Sequence, residues 1–352
     1  MAEYTIADGI RTLIDGKSLD SQQMENIMGD IMSGKANDIQ ISSFLTALRI
    51  RGETPDVISG AASTMRKFSN RIVPISTGRL VDTCGTGGDG SNTFNISTLA
   101  AFVAAGAGAV VAKHGNRSVS SKCGSADLLE AFGVKVDLDP AEVEKIINEI
   151  GIGFMFAPKF HPAMKYAMPV RKTLGVRTIF NILGPLTNPA AAKGHVLGVF
   201  DQNLVEIMAK VMATLGSEQV YIVHSDPGID EIVPISKVYI SEVQKGEVKS
   251  YVKTAKDFNI KKCTLKDVKG GTLETNLQIA KEILKNKDQS VKRQVVLINA
   301  AYAILASGIA SSFEDALKKA DESLVSGAAL KKLKELVVKS SNITEKFDQI
   351  FA

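Results

Sequence analysis

Between Val81 and Thr98 the chain places four glycines, Gly85, Gly87, Gly88 and Gly90, with one acid, Asp89, and hydroxyls at Thr86, Ser91, Thr93 and Ser97. Glycine lacks a Cβ and tolerates positive φ, so such a run can turn several main-chain N–H groups toward one point. Followed by a helix start, those groups attract an anion such as phosphate or pyrophosphate. The hydroxyls and the single acid suit a phosphorylated sugar better than a bare dinucleotide. No Gly-Lys-Ser/Thr follows the glycines, which excludes a Walker A loop. The spaced third glycine of the dinucleotide fingerprint is missing too.

Three further groups of residues could act with this loop. Lys113-His114-Gly115-Asn116-Arg117 begins a polar stretch that runs through Ser118, Val119, Ser120, Ser121 and Lys122 to Cys123-Gly124-Ser125-Ala126-Asp127. It follows an apolar run and reads as a loop at the end of a strand, where α/β sheets bind ligands. Lys113 and Lys122 suit phosphate oxygens. Asn116 can donate and accept together, which suits an amine or a carboxylate. Asp230-Glu231 follows a second apolar run, and adjacent carboxylates on a turn can hold Mg2+ together with substrate phosphates. Arg171 could pair bidentately with a carboxylate. Taken singly, each has a plainer reading as a solvated loop, a solvated acidic turn or a surface basic pair.

The elements that must position these groups change character along the chain. The first 70 residues read as helices joined by short turns. Ser21 is the expected N-cap before Gln22–Met32, and Asn37-Asp38 caps a helix through Arg49. Thr54-Pro55-Asp56 combines a Thr cap, Pro at the first helical position and an acid in the first turn. From Leu80 onward short apolar runs alternate with helical stretches: Leu80–Asp82, Ala109–Ala112, Val134–Val136, Gly153–Phe156, His195–Val199 and Val220–Val223. That alternation predicts βαβ units and a mostly parallel sheet. Lys237–Val243 and Glu247–Val252 flank Lys245-Gly246 as a hairpin, and the chain is again helical from about Asn276 to Lys339. The expected organisation is a small helical domain over 1–73 and a large α/β domain over 74–352. The Pro- and Gly-broken stretch over about 165–190 returns to the small domain as a hinge.

The chain has 352 residues and a net charge of only +4, which argues for an anionic small molecule and against nucleic acid as partner. Three widely spaced cysteines give neither a disulfide framework nor a zinc site. No segment reads as a signal peptide or a membrane span, so a cytoplasmic location is expected.

Taken together, several segments resemble the anthranilate phosphoribosyltransferase family, in the family's order and over nearly the whole chain. They are Asp82–Gly90, Asn95–Thr98, Lys113–Arg117, Gly124–Asp127, Arg177–Pro189 and Gly228–Glu231. The resemblance implies a helical domain on an α/β domain, with the active site at the hinge and dimerisation through the helical domain. It implies transfer of the phosphoribosyl group from phosphoribosyl pyrophosphate to the amine of anthranilate, with two Mg2+ per subunit.

Residue by residue, it implies that Gly85, Gly88, Asp89, Thr93, Asn95, Ile96, Ser97 and Thr98 bind phosphoribosyl pyrophosphate. The run Lys113, His114, Gly115, Asn116, Arg117, Ser118, Val119, Ser120 and Ser121, with Ser125, joins them. Gly85, Asn116, Arg171 and His114 meet anthranilate, and Ser97, Asp230 and Glu231 meet the metal. Lys113, Arg171 and Asp89 carry the catalytic roles. Cys123 stands where Ser is usual in the family and Ile229 where Leu is usual, and neither removes a required group. Two alternatives remain: a pyrimidine nucleoside phosphorylase, which shares this fold and needs no Mg2+, and a non-catalytic nucleic-acid-binding relative.

Overall fold

In a computed structural model, residues 4–76, 78–117 and 122–352 are described. Helices α1 (Ile6–Ile14), α2 (Ser21–Met32), α3 (Asp38–Arg51) and α4 (Pro55–Lys67) come first. Their starts follow local chemistry. The Thr5, Asp20, Asn37 and Thr54 side chains each accept an N–H from the first turn. The cap of α2 is therefore Asp20, and the expected Ser21 is the first helical residue. Asp20 wins because Gln23 returns the bond to its own N–H, completing a reciprocal box.

The α/β part then runs β1 (Val81–Gly85), α5 (Ile96–Gly106), β2 (Val111–Gly115), α6 (Ser125–Ala131), α7 (Pro140–Ile150) and β3 (Ile152–Phe156). Short helices α8 (Ala157–Phe160), α9 (Met168–Leu174) and α10 (Phe180–Leu183) lead to β4 (Gly194–Gly198), α11 (Leu204–Thr214) and β5 (Gln219–Ser225). The hairpin β6 (Val238–Gln244) and β7 (Glu247–Lys253) follows. Helices α12 (Leu273–Leu284), α13 (Val291–Ser307), α14 (Phe313–Val325), α15 (Ala328–Ser341) and α16 (Glu345–Phe351) close the chain.

The seven strands form one sheet in the order β3-β2-β1-β4-β5-β6-β7. The first five are parallel, and the hairpin is antiparallel. The chain moves outward from β1 to β2 and β3, then returns to β4 on the other side of β1. That reversal makes the carboxyl edge of β1 and β4 the switch point at which open α/β sheets bind ligands.

The apolar run Val134–Val136 is not a strand. It lies outside the sheet, its valines are buried and its Lys135 N–H donates to Ser340 Oγ. Apolar alternation reports burial, and here a helix supplies the partner that a strand would have offered.

Two hydrophobic clusters fill the interior. One joins α5, α13 and the C-terminal helices to the sheet around β1–β3. The other joins α1–α4 to α11 and to Leu197, Val199, Val220 and Ile222 of the β4–β5 region. Ala167, Val170, Ile179, Phe180, Ile182, Leu183 and Leu186 are buried in this second cluster. The N-terminal helices thus share their core with the segment 167–186 and with one sheet face.

Candidate functional site

Three of the expected groups lie at the carboxyl edge of a parallel strand. The glycine loop leaves β1, the Lys113–Asn116 run ends β2, and Asp230-Glu231 follows β5. The loop and the acidic turn interlock. Gly87 N–H donates to Asp230 Oδ2 at 2.7 Å. A Cβ at Gly85 would lie 2.3 Å from that same oxygen, so only glycine lets the carboxylate approach the loop. Gly87, Gly88 and Gly90 adopt positive φ of 65°, 72° and 72°, the conformation that turns N–H groups inward.

Glu231 is held as closely. Its Oε1 accepts Ser97 N–H at 3.0 Å, at the start of α5, and its Oε2 accepts the Thr93 hydroxyl at 3.1 Å. Asp89 accepts Ser91 N–H at 3.1 Å. Burial first, then the Asp89 charge, pushes Asp230 up to about 7. Burial and then Asp230 raise Glu231 well above the usual carboxylate range. Acids so placed, repelling one another without a cation, have the chemistry of a hard divalent site. Among the described residues no three His, Cys, Asp or Glu side chains form a complete metal cage. The paired carboxylates fit Mg2+, which takes one or two protein carboxylates and completes its shell with water and substrate phosphate.

Residues outside the motifs set this geometry. Asn299, 3% exposed on the apolar helix α13, holds Ile232 at both ends of its peptide. Its Oδ1 accepts Ile232 N–H at 3.1 Å and its Nδ2 donates to Ile232 C=O at 2.9 Å. Ser225 Oγ donates to Glu231 C=O at 2.7 Å and accepts Val233 N–H at 3.0 Å. Gly198 ends β4 so close to the acidic turn that a Cβ would sit 1.5 Å from Asp230 C=O. A lone amide within Val295–Ala306 is a sequence signal for Asn299. Ser225 and Gly198 carry none.

The Lys113 run differs from a simple loop. Strand β2 extends to Gly115, paired with Phe156, so Lys113 and His114 are buried strand residues. The Lys113 ammonium lies beneath the glycine loop, on the carbonyl and hydroxyl of Thr83. His114 N–H donates to Asp82, whose other oxygen accepts Asn188 Nδ2 at 2.7 Å. Asp82 is fully buried, and burial raises it to about 6 despite the Lys113 charge. His114 is pushed down to about 3 and His161 to about 4, chiefly by burial. Both rings are therefore neutral at pH 7, 5.1 Å apart.

Asn116 is exposed and accepts Arg117 N–H. The Arg117 guanidinium binds Asp127 and Glu130, so in this structure its charge is engaged by α6. Asn95 Nδ2 donates to Cys123 C=O at 3.1 Å, which brings the start of α5 against the end of that turn. Ile96 and Thr98 are buried in α5, and Ser125 Oγ donates to Asn116 C=O at 3.2 Å. Arg171, on α9, is half-buried over the Phe180 ring at 5.2 Å. Ser118, Val119, Ser120 and Ser121 lie outside the described residues. A separate open cavity of about 600 Å3, with Arg79, Lys193 and Glu218, opens at the opposite, amino-terminal edge of the sheet.

The helical part and the α/β part each match a glycosyl transferase family domain. The glycosyl transferase family α/β domain matches residues 77–330, and its helical bundle domain matches residues 7–69. The anthranilate phosphoribosyltransferase of Acetivibrio thermocellus is 50% identical over 328 residues, 93% of this chain and 94% of that protein. The crystal structure of the same enzyme from Thermus thermophilus aligns with a TM-score of 0.89 at 40% identity, covering 94% of this chain and 99% of that one. The Saccharomyces cerevisiae enzyme in complex with PRPP and Mg aligns with a TM-score of 0.87 at 29% identity, over 96% and 98%. This chain belongs to the anthranilate phosphoribosyltransferase family.

Proposed function

We propose that this protein transfers the 5-phosphoribosyl group from phosphoribosyl pyrophosphate to the amine of anthranilate, releasing pyrophosphate. The observation that carries this reading is the interlock of the Gly85–Gly90 loop with Asp230. An anion cradle and a pair of buried acids share one point at the switch of the sheet. The relatives support it over the phosphorylase and the nucleic-acid-binding alternatives.

In the reaction the anthranilate nitrogen bonds to ribose C1 while the bond from C1 to the pyrophosphate oxygen breaks. The nitrogen becomes cationic as the C–N bond forms and gives its proton to the released pyrophosphate. An aromatic amine is neutral at pH 7, so the barrier lies in the departing charge. N–H groups of the Gly85–Gly90 loop and the α5 terminus that are not bonded to Asp230 or Glu231 receive that charge, with Asp89 and Thr93 fixing the loop and the ribose hydroxyls. Mg2+, two ions per subunit held by Ser97, Asp230 and Glu231, supplies positive charge to the pyrophosphate when bound. Asn95, Ile96 and Thr98 extend the phosphate site. Lys113 lies 3.3 Å from the Thr83 hydroxyl, on the strand that leads into the loop, and adds a cation below it. Arg171 takes the anthranilate carboxylate and Asn116 its amine, beside the neutral His114. That orientation makes the step effectively unimolecular.

Closure of the helical part, 1–73 with the segment over 165–190, on the part over 74–352 would exclude water from the activated sugar. The subunit pairs with a second copy through its helical face, where Ile14 at the end of α1 and Ile39 and Ile50 at the two ends of α3 are exposed. No helix among the described residues is long and apolar enough to cross a membrane, and the proposed location is the cytoplasm.

The test follows loss of anthranilate fluorescence with phosphoribosyl pyrophosphate present, with and without Mg2+. Mg2+-dependent loss of signal supports both substrates and the metal together. No loss with anthranilate, but turnover of thymidine or uridine with phosphate, would overturn the reading.

A further inference from the structure

We infer that Arg177 is a positioning residue: it ties the segment that carries Arg171 to the glycine loop, so that order in the pyrophosphate site depends on the anthranilate side of the cleft. The inference rests on the phosphoribosyl pyrophosphate reading of that loop. Arg177 lies between α9 and α10, three residues before Phe180. Its guanidinium donates to the Gly88 carbonyl and stacks on the Phe200 ring, 4.0 Å from the centroid.

Both partners belong to the loop's surroundings. Phe200 N–H donates to the Thr86 hydroxyl at 3.2 Å, and Thr86 N–H donates to Gly198 C=O at 2.9 Å. A closed circuit results, running Gly88, Arg177, Phe200, Thr86 and back to the loop. The need for it is physical. Gly87 and Gly88 bring no side chain to hold themselves, and at positive φ their unfolded alternatives are many. Asp230 fixes Gly87 from below. Arg177 fixes Gly88 from the side, by a charge-assisted bond and a cation–π contact. The same short segment presents Arg171 over Phe180, so the side anchor of the glycine loop is carried by the segment that faces anthranilate.

The experiment compares Arg177→Ala, Arg177→Lys and Phe200→Leu with the unmutated enzyme. Steady-state KM and kcat are measured for each substrate, with unfolding midpoints and hydrogen exchange of the loop peptide. Loss of one charge-assisted bond should raise KM for phosphoribosyl pyrophosphate by about tenfold, with KM for anthranilate within about twofold. Loop exchange should quicken while the unfolding midpoint holds. Phe200→Leu should reproduce the split, and Arg177→Lys should recover part of it.

An unchanged KM for phosphoribosyl pyrophosphate in Arg177→Ala overturns the inference. So does a fall of the midpoint with equal losses for both substrates, which marks a merely structural residue. If Phe200→Leu is silent while Arg177→Ala is not, the guanidinium meets the substrate directly and the positioning role is lost. Absence of turnover by the unmutated enzyme would instead refute the proposed function.

Discussion

Gly198→Ala should abolish most activity without unfolding the protein. Gly198 closes β4 opposite Gly85 of β1. A Cβ there would lie 1.5 Å from the Asp230 carbonyl oxygen and 2.4 Å from its carbon. Close C···O contacts begin at about 3.3 Å, so the acidic turn must retreat by roughly 2 Å. The turn cannot move freely, because Ser225 holds Glu231 and Asn299 holds Ile232, the two residues that follow Asp230. Misplacement of a reacting group by about 1 Å can cost about 100-fold, so kcat/KM should fall by at least that factor. Gly194→Ala is the control. It lies at the other end of the same strand, where a Cβ would meet Ala306 C=O at 2.6 Å, away from the carboxylates. Both variants should lose thermal stability, and only Gly198→Ala should lose the chemistry. Initial rates from anthranilate fluorescence would be taken on protein shown to be folded by circular dichroism. A folded Gly198→Ala within about threefold of the unmutated kcat/KM, or equal losses in the two variants, would refute the reasoning.

Asp230→Asn with Glu231→Gln should lower kcat by at least about 100-fold while raising the metal-free unfolding midpoint at neutral pH, because the buried charges that repel there are removed; a lower midpoint, or near-normal activity, contradicts the account. Arg171→Ala should raise KM for anthranilate by about ten- to a hundredfold, the loss of a charged hydrogen-bond pair, and leave that for phosphoribosyl pyrophosphate nearly unchanged; steady-state kinetics with each substrate varied decides it. His195 is buried and neutral, pushed down to about 3 from 6.5 by burial. Between those values the unfolded chain binds a proton that the native one refuses, so this residue's contribution is lost as pH falls below 6.5. The stability gap between the unmutated protein and His195→Asn should therefore narrow by about 3 kcal/mol from pH 7 to about pH 4.5 in urea titrations. A gap independent of pH would show that the ring is not neutral in the native state.

The sequence by itself determined the elements and the chemistry available. Thr54-Pro55-Asp56 and Asn37 start helices through bonds made within a few residues, so the caps were legible there, and Asp20 displaced Ser21 only through the reciprocal bond with Gln23. Alternation of short apolar runs with helices predicts the parallel sheet, and the motifs after β1, β2 and β5 fall at its strand ends. Val134–Val136 misled because an apolar period reports burial and not the partner that provides it. Lys113 and His114 read as loop because polar residues suggest exposure, while the pairing of β2 with β3 carries the strand further and buries both. What only the tertiary structure decided is which distant residues share a point. Gly87 and Asp230 are 143 residues apart, and Asn299 reaches Ile232 across 67. Gly198 matters only because another turn passes within its missing Cβ. Such meetings depend on strand order and helix packing, which no local spacing encodes. The carboxylates likewise acquire their raised affinity for protons from burial and from one another, conditions that exist only once the chain has closed around them.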